Sequence, residues 1–372
     1  MSSKQIYRLL WTALLVLAGP AVAGADILVG TAGPMQGQYA VFGEQLKRGA
    51  AMAVADINAA GGVNGEMLVL EVGDDGCDPK QAVAVAEKMV AKGIKVMAGH
   101  FCSGASIPAS KVYEAAGIPQ ISPASTNPKF TDEGGWNVAR VVGRDDAQGM
   151  AAGKFLAAKY RDKKIAIIDD KSAYGKGLAD ETRKSLNAAG VTEVLNESYI
   201  AGEKDYAALV SKLKDAGVDV VYVGGTHIEA GLILRQMRQQ GVGALMVSGD
   251  ALVTDEFWTI AGDAGEGTLM TFAPDPRKFA AAWEVVEKFK AAGYNPEGHT
   301  LYAYAAIQAW AQAAAATGGT DGRKIAEWLR AGNTLKTVIG DIALDAKGDV
   351  KDAPHVWYKW SGGKYAEDAS IQ

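Results

Sequence analysis

The sequence predicts an α/β protein made of two similar units, each a parallel, doubly wound sheet. Short apolar runs punctuated by Gly and Ser alternate with segments whose apolar residues recur at helical spacing, and this alternation is typical of parallel sheets flanked by helices. The pattern restarts near Gly143 and runs through a second, complete set of strands and helices. No long Gly/Ser-rich linker separates the two sets, so we expect two tightly joined lobes with a cleft between them.

The first residues have the order of a secretory signal. Lys4 and Arg8 give a basic start, and Leu9 to Leu17 is an apolar segment too short to span a bilayer comfortably. Two overlapping A-x-A cleavage sites follow within residues 21–25. We therefore predict that residues 1–23 are a cleaved signal peptide, with an uncleaved anchor as the alternative. No later segment reaches the run of about 18 apolar residues that a membrane helix needs.

The first unit is predicted from local patterns in chain order. Residues 61–65 form a Gly-rich turn that ends its first helix. Asp74 and Asp75 do not continue into a calcium-loop pattern, so we interpret them as cap and turn residues. The predicted strands are 26–30, 67–72, 94–98 and 118–121, and the predicted helices are 43–59 and 80–92.

The second unit repeats the same alternation and is followed by more helices. Its predicted strands are 164–169, 194–200, 219–223 and 244–247, and its predicted helices are 148–159, 178–189, 206–215 and 229–240. After Phe272 we expect helices over 280–292, 302–316 and 324–330, and a closing β segment over 356–359.

Two neighbouring strands of the first unit are followed by small polar residues. Ser103 comes after the strand 94–98 and Thr126 comes after the strand 118–121. Ligands of open α/β sheets bind beyond the carboxyl ends of the strands, where hydroxyls and unpaired N–H groups at helix starts suit a carboxylate. We predict that Ser103 and Thr126 hold the carboxylate of a small ligand; helix capping is the alternative for each.

Composition and motifs argue against several classes of function. The formal net charge is −5, and no cluster of Lys and Arg with interleaved aromatics is present, so nucleic-acid binding is not expected. The sequence lacks a G-x-S-x-G elbow, a Walker P-loop and a G-x-G-x-x-G turn. Its four histidines, at 100, 227, 299 and 355, show no metal-ligand spacing. We therefore predict a binding protein without metal or cofactor.

The two cysteines, Cys77 and Cys102, have two interpretations. An even pair in an exported chain predicts a disulfide. The alternative is a nucleophilic Cys102 assisted by His100. That histidine follows a strand and could equally be a capping or a solvated residue.

Five segments together carry a family resemblance. They are Gly-His-Phe-Cys-Ser-Gly (99–104), Ile-Ser-Pro-Ala-Ser-Thr-Asn-Pro (121–128), Asp-Lys-Ser-Ala-Tyr-Gly-Lys-Gly (170–177), Gly-Glu-Lys-Asp-Tyr (202–206) and Ile-Ala-Gly-Asp-Ala-Gly-Glu-Gly (260–267). In this order they resemble the leucine/isoleucine/valine-binding family of periplasmic solute-binding proteins. The resemblance implies the type I fold, with two Rossmann-like lobes, a hinge of three crossings and a ligand cleft. It implies a lobe I of 26–144 plus 274–352 and a lobe II of 145–273 plus 353–372.

The resemblance also implies a ligand site for an amino acid. Ser103 and Thr126 match hydroxyls that hold the ligand carboxylate. The Ala124 carbonyl and the Thr126 hydroxyl match acceptors of the ligand ammonium. Asp250 matches the acid that pairs with that ammonium, where the best-known members carry Glu, and Tyr174 matches an aromatic that closes over the ligand. Ordinary packing is the alternative for Tyr174, and capping is the alternative for Asp250.

The implied cleft wall departs from the family at two positions. Phe42 and Phe101 match wall residues, but leucine binders have an aliphatic residue in place of Phe101. Thr226 stands where they have an aromatic, and Tyr302 is a further wall candidate. Phe101 adds a ring to the wall, and Asp250 is shorter than the Glu of the best-known members. These two differences predict a ligand slimmer than leucine, such as alanine, proline or 4-aminobutyrate. The alternative is that the wall rearranges and leucine still binds. Cys77 and Cys102 match the family disulfide.

The function that the resemblance implies is capture of an amino acid in the periplasm and its delivery to the membrane permease of an ABC transporter. We expect a monomer that closes by hinge motion. Two alternatives stay open: a sensory ligand-binding component of a receptor, and an amidase-type enzyme that uses Cys102 or Ser103.

Overall fold

The computed structural model describes residues 26–371, and its first sheet has five strands. They are β1 (Ile27–Gly33), β2 (Leu68–Asp74), β3 (Met97–Gly99), β4 (Gln120–Ser122) and β5 (Val138–Arg140). All neighbours are parallel, in the spatial order β2-β1-β3-β4-β5. The predicted signal peptide lies outside the described residues.

The second sheet has seven strands, parallel in its centre and antiparallel at one edge. They are β6 (Ile165–Asp169), β7 (Leu195–Ser198), β8 (Val220–Gly224), β9 (Leu245–Ser248), β10 (Leu269–Phe272), β13 (Val356–Ser361) and β14 (Lys364–Glu367). Their order is β14-β13-β10-β9-β8-β6-β7, with β13 antiparallel to both neighbours. A separate hairpin pairs β11 (Thr334–Thr337) with β12 (Gly340–Ala343).

Twelve α-helices are present in residues 26–371. They are α1 (Ala40–Ala59), α2 (Pro79–Lys92), α3 (Ser103–Ala115), α4 (Lys129–Asp132), α5 (Asp145–Lys159), α6 (Ala173–Ala188), α7 (Ala207–Ala216), α8 (His227–Gln239), α9 (Asp255–Ala261), α10 (Trp283–Ala291), α11 (Thr300–Thr317) and α12 (Gly322–Arg330). No helix in this part of the chain is long and apolar enough to span a membrane.

Strand order places a switch point in each sheet. In the first sheet β1 has β2 on one side and β3 on the other, so the chain reverses its winding direction there. In the second sheet β6 has β7 and β8 as neighbours in the same way. The loops beyond the carboxyl ends of such strands leave a crevice where ligands bind. The segments after β3, β6 and β8 are therefore the expected site.

Helix α11 follows β10 of the second sheet in the chain but packs against the first sheet. It packs on α1 and on β3 and β4. A Cβ atom at Gly49 of α1 would lie 2.1 Å from the carbonyl oxygen of Thr300, so glycine is needed for this close approach. Trp310 of α11 is completely buried, so α11 forms part of the core beneath the first sheet.

The structure confirms the α/β class and the order of the predicted elements, while several boundaries differ. Helix α6 begins at Ala173, five residues before the predicted start, because Ser172 accepts a hydrogen bond from the Gly175 amide and caps it. The predicted helix 280–292 begins with a separate 3₁₀ turn at Ala280–Ala282. Short elements that carry little periodicity were not predicted: α4, α9, β5, β10 and the β11–β12 hairpin.

His100 is a buried structural residue, which corrects the expectation that it caps a helix or is solvated. Its Nδ1 lies 2.6 Å from Asp75 Oδ2 and its Nε2 lies 3.1 Å from the Tyr113 hydroxyl. The other oxygen of Asp75 accepts a hydrogen bond from the Cys77 amide, which confirms the predicted turn role of that aspartate. Both ring nitrogens of His100 are therefore engaged in holding the loops behind β3.

Candidate functional site

A cavity of about 580 Å³ lies between the loops of the two sheets. On the first sheet's side its lining includes Ser103 after β3 and Ala124 after β4. On the second sheet's side it includes Tyr174 after β6, Thr226 after β8 and Asp250 after β9. The fold brings six of the nine predicted ligand-contacting residues to this one cavity: Phe101, Ser103, Ala124, Tyr174, Thr226 and Asp250.

Asp250 is the acidic group at the centre of the site and is 3% exposed. Its Oδ1 accepts hydrogen bonds from the Tyr174 hydroxyl over 2.8 Å and from Gln148 Nε2 over 3.2 Å. Its Oδ2 lies 3.5 Å from His299 Nε2. Burial opposes a charge on this carboxyl, but the His299 ring and the Tyr174 hydroxyl outweigh it and lower the pKa of Asp250. Asp250 is thus a buried anion at the cavity surface.

A second buried acid stands behind Asp250 and behaves differently. Asp145, the first residue of α5, is completely buried. Burial, and next the charge of Asp250, raise the pKa of Asp145 well above its usual value. Of these two acids, Asp145 is therefore the neutral one and Asp250 the charged one. Of this pair, one negative charge, that of Asp250, faces the cavity.

Ser103 lies at the positive end of α3 and lines the cavity. Its hydroxyl oxygen accepts a hydrogen bond from the Asn127 amide over 3.3 Å, so it does not cap its own helix. The amides of Ser103 and Gly104 lie in the first turn of this 13-residue helix, where backbone N–H groups have no intrahelical acceptor. This end of the cavity is electropositive and suits an anion.

Thr126, Phe42 and Tyr302 do not reach the cavity surface, unlike the other predicted site residues. Thr126 is 1% exposed, and its hydroxyl has no hydrogen-bond partner within residues 26–371. Phe42 stacks behind Phe101 with ring centroids 4.4 Å apart. Tyr302 packs on Phe272 at 5.5 Å. Tyr302 lines a different, smaller cavity beside Gly143, Ala273 and Ala353.

Phe101 narrows the cavity on the first sheet's side. It is held by the Phe42 ring on one face and meets the His299 ring edge-on at 5.1 Å. Because both neighbours are nearly inaccessible to solvent, the Phe101 ring has little room to move aside.

The structure adds residues that sequence reasoning did not identify. Gln148 and His299 hold Asp250, and Asp145 stands behind it. Tyr39 and Asp170 also line the cavity. Asp145 could have been found from the sequence, because it belongs to the Arg-Asp-Asp segment at the start of the second α/β unit. His299 belongs to no motif, and only the packing of α11 brings it to the site.

Contacts across the cleft join the two sheets. Asn127 Nδ2 donates to the Ala173 carbonyl oxygen over 2.6 Å. Glu297 accepts hydrogen bonds from the Thr254 hydroxyl and the Asp255 amide, both over 3.0 Å. The loops of the two sheets therefore meet at two places.

Cys77 and Cys102 form a disulfide, which confirms the predicted pairing. The bond joins the loop after β2 to the residue before α3, and both residues line the cavity. No cysteine in residues 26–371 is free. Cys102 is therefore not available as the thiolate nucleophile of the alternative enzymatic interpretation. No cluster of metal-ligating side chains is found in the same part of the chain.

Comparison with known proteins gives a consistent result. Residues 26–364 match the family model for periplasmic binding protein. The chain is 51% identical over 348 residues to Leu/Ile/Val-binding protein homolog 1 of Brucella suis biovar 1, covering 94% of both chains. It is 50% identical over 374 residues to the amino acid binding protein of Pseudomonas aeruginosa, covering 98% of this chain and 99% of the relative.

Two solved structures have the same fold over most of the chain. The leucine binding protein LivK from Thermotoga maritima has a TM-score of 0.85 and 26% identity, covering 92% of this chain and 98% of that one. LivJ from Streptococcus pneumoniae, solved in complex with isoleucine, has a TM-score of 0.84 and 25% identity, covering 92% and 99%.

Proposed function

Because the chain belongs to the periplasmic binding protein family, we propose that it captures an amino acid in the cavity between its two sheets and delivers it to an ABC transporter permease. The relatives are binding proteins by name. The observation that carries the proposal is the pairing of opposite poles in one cavity. Ser103 at the start of α3 provides the anion-binding pole, and the buried Asp250 carboxylate provides the cation-binding pole.

A zwitterion fits this arrangement. Its carboxylate would accept hydrogen bonds from the Ser103 hydroxyl and the free amides of α3. Its ammonium would pair with Asp250 and with the Ala124 carbonyl oxygen, and the buried Thr126 hydroxyl would join them when the ligand is in place. Tyr174 would lie over the ligand while its hydroxyl keeps Asp250 in position. Each charge of the ligand would lose water and gain a fixed partner.

The ligand in this proposal is slimmer than leucine. Phe101 is supported by Phe42 and His299, and adding volume to such a packed wall costs about 1–3 kcal/mol. Thr226 offers a hydroxyl on the opposite side of the cavity. The proposal therefore differs from the ligands in the names of several relatives, which mention leucine, isoleucine and valine.

The two sheets would move as two lobes. Lobe I would comprise 26–144 plus 274–352, and lobe II would comprise 145–273 plus 353–372. Arg144, beside the first crossing, pairs with Asp132, Asp146 and Asp349, and this cluster would tie the crossings together as a hinge. Small-angle X-ray scattering with saturating ligand should give a smaller radius of gyration than ligand-free protein; an unchanged radius would indicate a rigid cleft.

In the same proposal the protein acts as a monomer in the periplasm after removal of residues 1–23. An enzymatic role finds no support at the site, because Cys102 is in a disulfide and the Ser103 hydroxyl contacts the Asn127 amide instead of a base. A thermal-shift screen against amino acids tests the proposed function, since a ligand that binds the folded state raises the melting temperature. A screen in which no amino acid produces a shift would contradict it.

A further inference from the structure

The cavity has a polar corner that the two poles for the amino and carboxylate groups do not use. Tyr39, Asp170 and Thr226 line it, and Glu229 lies behind them with no exposed surface. We call these four residues the acceptor corner. Tyr39 precedes α1 near the first sheet, whereas the other three belong to loops and a helix of the second sheet. The corner is therefore complete when the two sides of the cleft are together.

Glu229 determines which way the two hydroxyls of the corner point. The Thr226 hydroxyl donates to Glu229 Oε2 over 2.7 Å, and the Tyr39 hydroxyl donates to Oε1 over 3.5 Å. The Gly202 amide donates to Oε1 over 2.9 Å and holds the carboxyl in place. Each hydroxyl has a single proton, which is directed at Glu229. The oxygens of Thr226 and Tyr39 are thus left as acceptors toward the cavity.

Asp170 adds a third acceptor. It is 6% exposed, and its Oδ1 accepts a hydrogen bond from the Ser172 amide over 2.9 Å. Burial raises the pKa of Asp170 to about 6, so near neutral pH the carboxyl is mostly ionised. The neighbouring Lys171 side chain is exposed to solvent, and the nearby His227 pairs with Glu256. Within residues 26–371, neither Asp170 nor Glu229 has a basic side chain as an ion-pair partner.

Tyr199 is a further buried polar residue behind the corner, close to Asp170 and Glu229. The residue is 4% exposed, and its hydroxyl has no hydrogen-bond partner in the described part of the chain. The hydroxyl lies against Gly225, where a Cβ atom would come within 2.0 Å of it. Burial first, and then the charges of Asp170 and Glu229, raise the pKa of Tyr199. An unpaired buried hydroxyl is costly; this one lies beside Gly225, near Asp170, but does not line the cavity.

We propose that the acceptor corner receives a hydrogen-bond donor at the far end of the ligand's side chain: an ammonium, a guanidinium or a primary amide. This inference rests on the proposed function and narrows its ligand class to linear amino acids with a donor at the tip, for which ornithine, lysine and glutamine are the probes. A carboxylate tip would face acceptors alone and is rejected. The narrowing by Phe101 agrees with this class, because it disfavours branched side chains more than linear ones.

Calorimetric titration with side chains of similar length tests the inference. Ornithine and glutamine carry donors, norvaline is apolar, glutamate carries a carboxylate, and alanine is too short to reach the corner. We expect ornithine or glutamine to bind at least about tenfold more tightly than norvaline, with glutamate weakest of the four, because buried acceptors left without a donor are costly. Norvaline binding more tightly than both donors would overturn the inference.

Variants separate the corner from the rest of the site. Glu229→Gln keeps an amide oxygen for the Gly202 amide and the Tyr39 hydroxyl but places its NH2 group against Thr226, so the Thr226 proton would turn toward the cavity. We expect the ratio of ornithine affinity to alanine affinity to fall by roughly tenfold. Asp170→Asn should lower the same ratio and serves as the second variant if Glu229→Gln does not fold. Glu203→Gln changes an exposed acid on the adjacent loop and should leave the ratio unaltered.

The outcomes distinguish this inference from the proposed function. An equal ratio in Glu229→Gln, Asp170→Asn and Glu203→Gln would overturn the acceptor corner while leaving amino-acid capture in place, provided alanine binds. If alanine and every probe in the series fail to bind the wild-type protein, the proposed function fails together with the corner.

Discussion

The side-chain amide of Asn127 donates a hydrogen bond to the carbonyl oxygen of Ala173 over 2.6 Å and so joins the two sides of the cleft. Asn127 follows β4 of the first sheet, and Ala173 is the first residue of α6 on the second sheet. Asn127 Oδ1 has a separate role, because it accepts from the Lys129 amide within its own loop. The Nδ2 group of Asn127 therefore contacts the opposite side of the cleft, while its Oδ1 atom stabilises its own loop.

Asn127→Asp should weaken ligand binding while leaving the ligand-free protein stable. The aspartate keeps the acceptor for Lys129 but places a charged oxygen against the Ala173 carbonyl, and loss of one hydrogen bond costs about 1 kcal/mol. We expect at least about fivefold weaker binding by calorimetry. Unaltered affinity, with an unaltered melting temperature, would show that this contact does not contribute to the closed form.

Phe101→Leu should shift ligand preference toward leucine. Removing the Phe101 ring makes room in the cavity wall, where Phe42 and His299 hold that ring in place. Forcing a larger ligand against such a packed wall costs about 1–3 kcal/mol. Titration of leucine, isoleucine and valine against alanine, proline and 4-aminobutyrate gives the comparison. We expect the leucine-to-alanine affinity ratio to rise at least about fivefold. If wild-type protein already binds leucine most tightly, the wall does not exclude branched ligands.

Glu297 should make stability depend on pH. Burial raises the pKa of Glu297 from 4.5 to about 7, so the folded protein binds this proton more strongly than the unfolded chain does. Its favourable contribution is therefore complete below pH 4 and is lost as pH rises from about 4.5 to about 7. Glu297→Gln should remove roughly 1–3 kcal/mol of the difference in unfolding free energy between pH 5 and pH 8. Identical differences in both proteins, measured by urea denaturation, would exclude this role.

The disulfide should stabilise the loop after β2 and the start of α3. The bonded cysteines are separated by 25 positions, and closing such a loop in the unfolded chain is worth about 3.5 kcal/mol. Thiol titration of unfolded, unreduced protein should detect no free thiol. Cys77→Ser with Cys102→Ser should lower the free energy of unfolding by a similar amount. Two titratable thiols in the exported wild-type protein would refute the bond.

The order of strands and helices could be predicted because it depends on local periodicity. Strands β6 and β8 of the second sheet are predominantly apolar and buried along their whole length, as burial on both faces requires. Strands such as β5 and β10, with three and four residues, are too short to carry a recognisable pattern. The start of α6 was missed for a related reason, because its first five residues contain two glycines and one exposed lysine instead of periodic apolar residues.

The site was predicted where residues follow strands and missed where packing brings in distant segments. Ser103, Ala124 and Asp250 each follow a strand end, so motif and position agreed. His299 and Glu229 reach the site from the starts of α11 and α8, and their contacts depend on how those helices pack. His100 shows the converse: its position after β3 suggested exposure, but Asp75 and Tyr113 enclose it.

Amino-acid capture between the two poles is tested most directly by calorimetric titration of wild-type protein, Asp250→Asn and Ser103→Ala with six ligands: leucine, alanine, proline, 4-aminobutyrate, ornithine and glutamine. We predict binding of at least one of these to a single site on the wild-type protein. Each variant should bind that ligand more than about tenfold less tightly, because one desolvated charge on the ligand loses its partner. Failure of all six to bind the wild-type protein, or equal affinity in the three proteins, would contradict capture at this site.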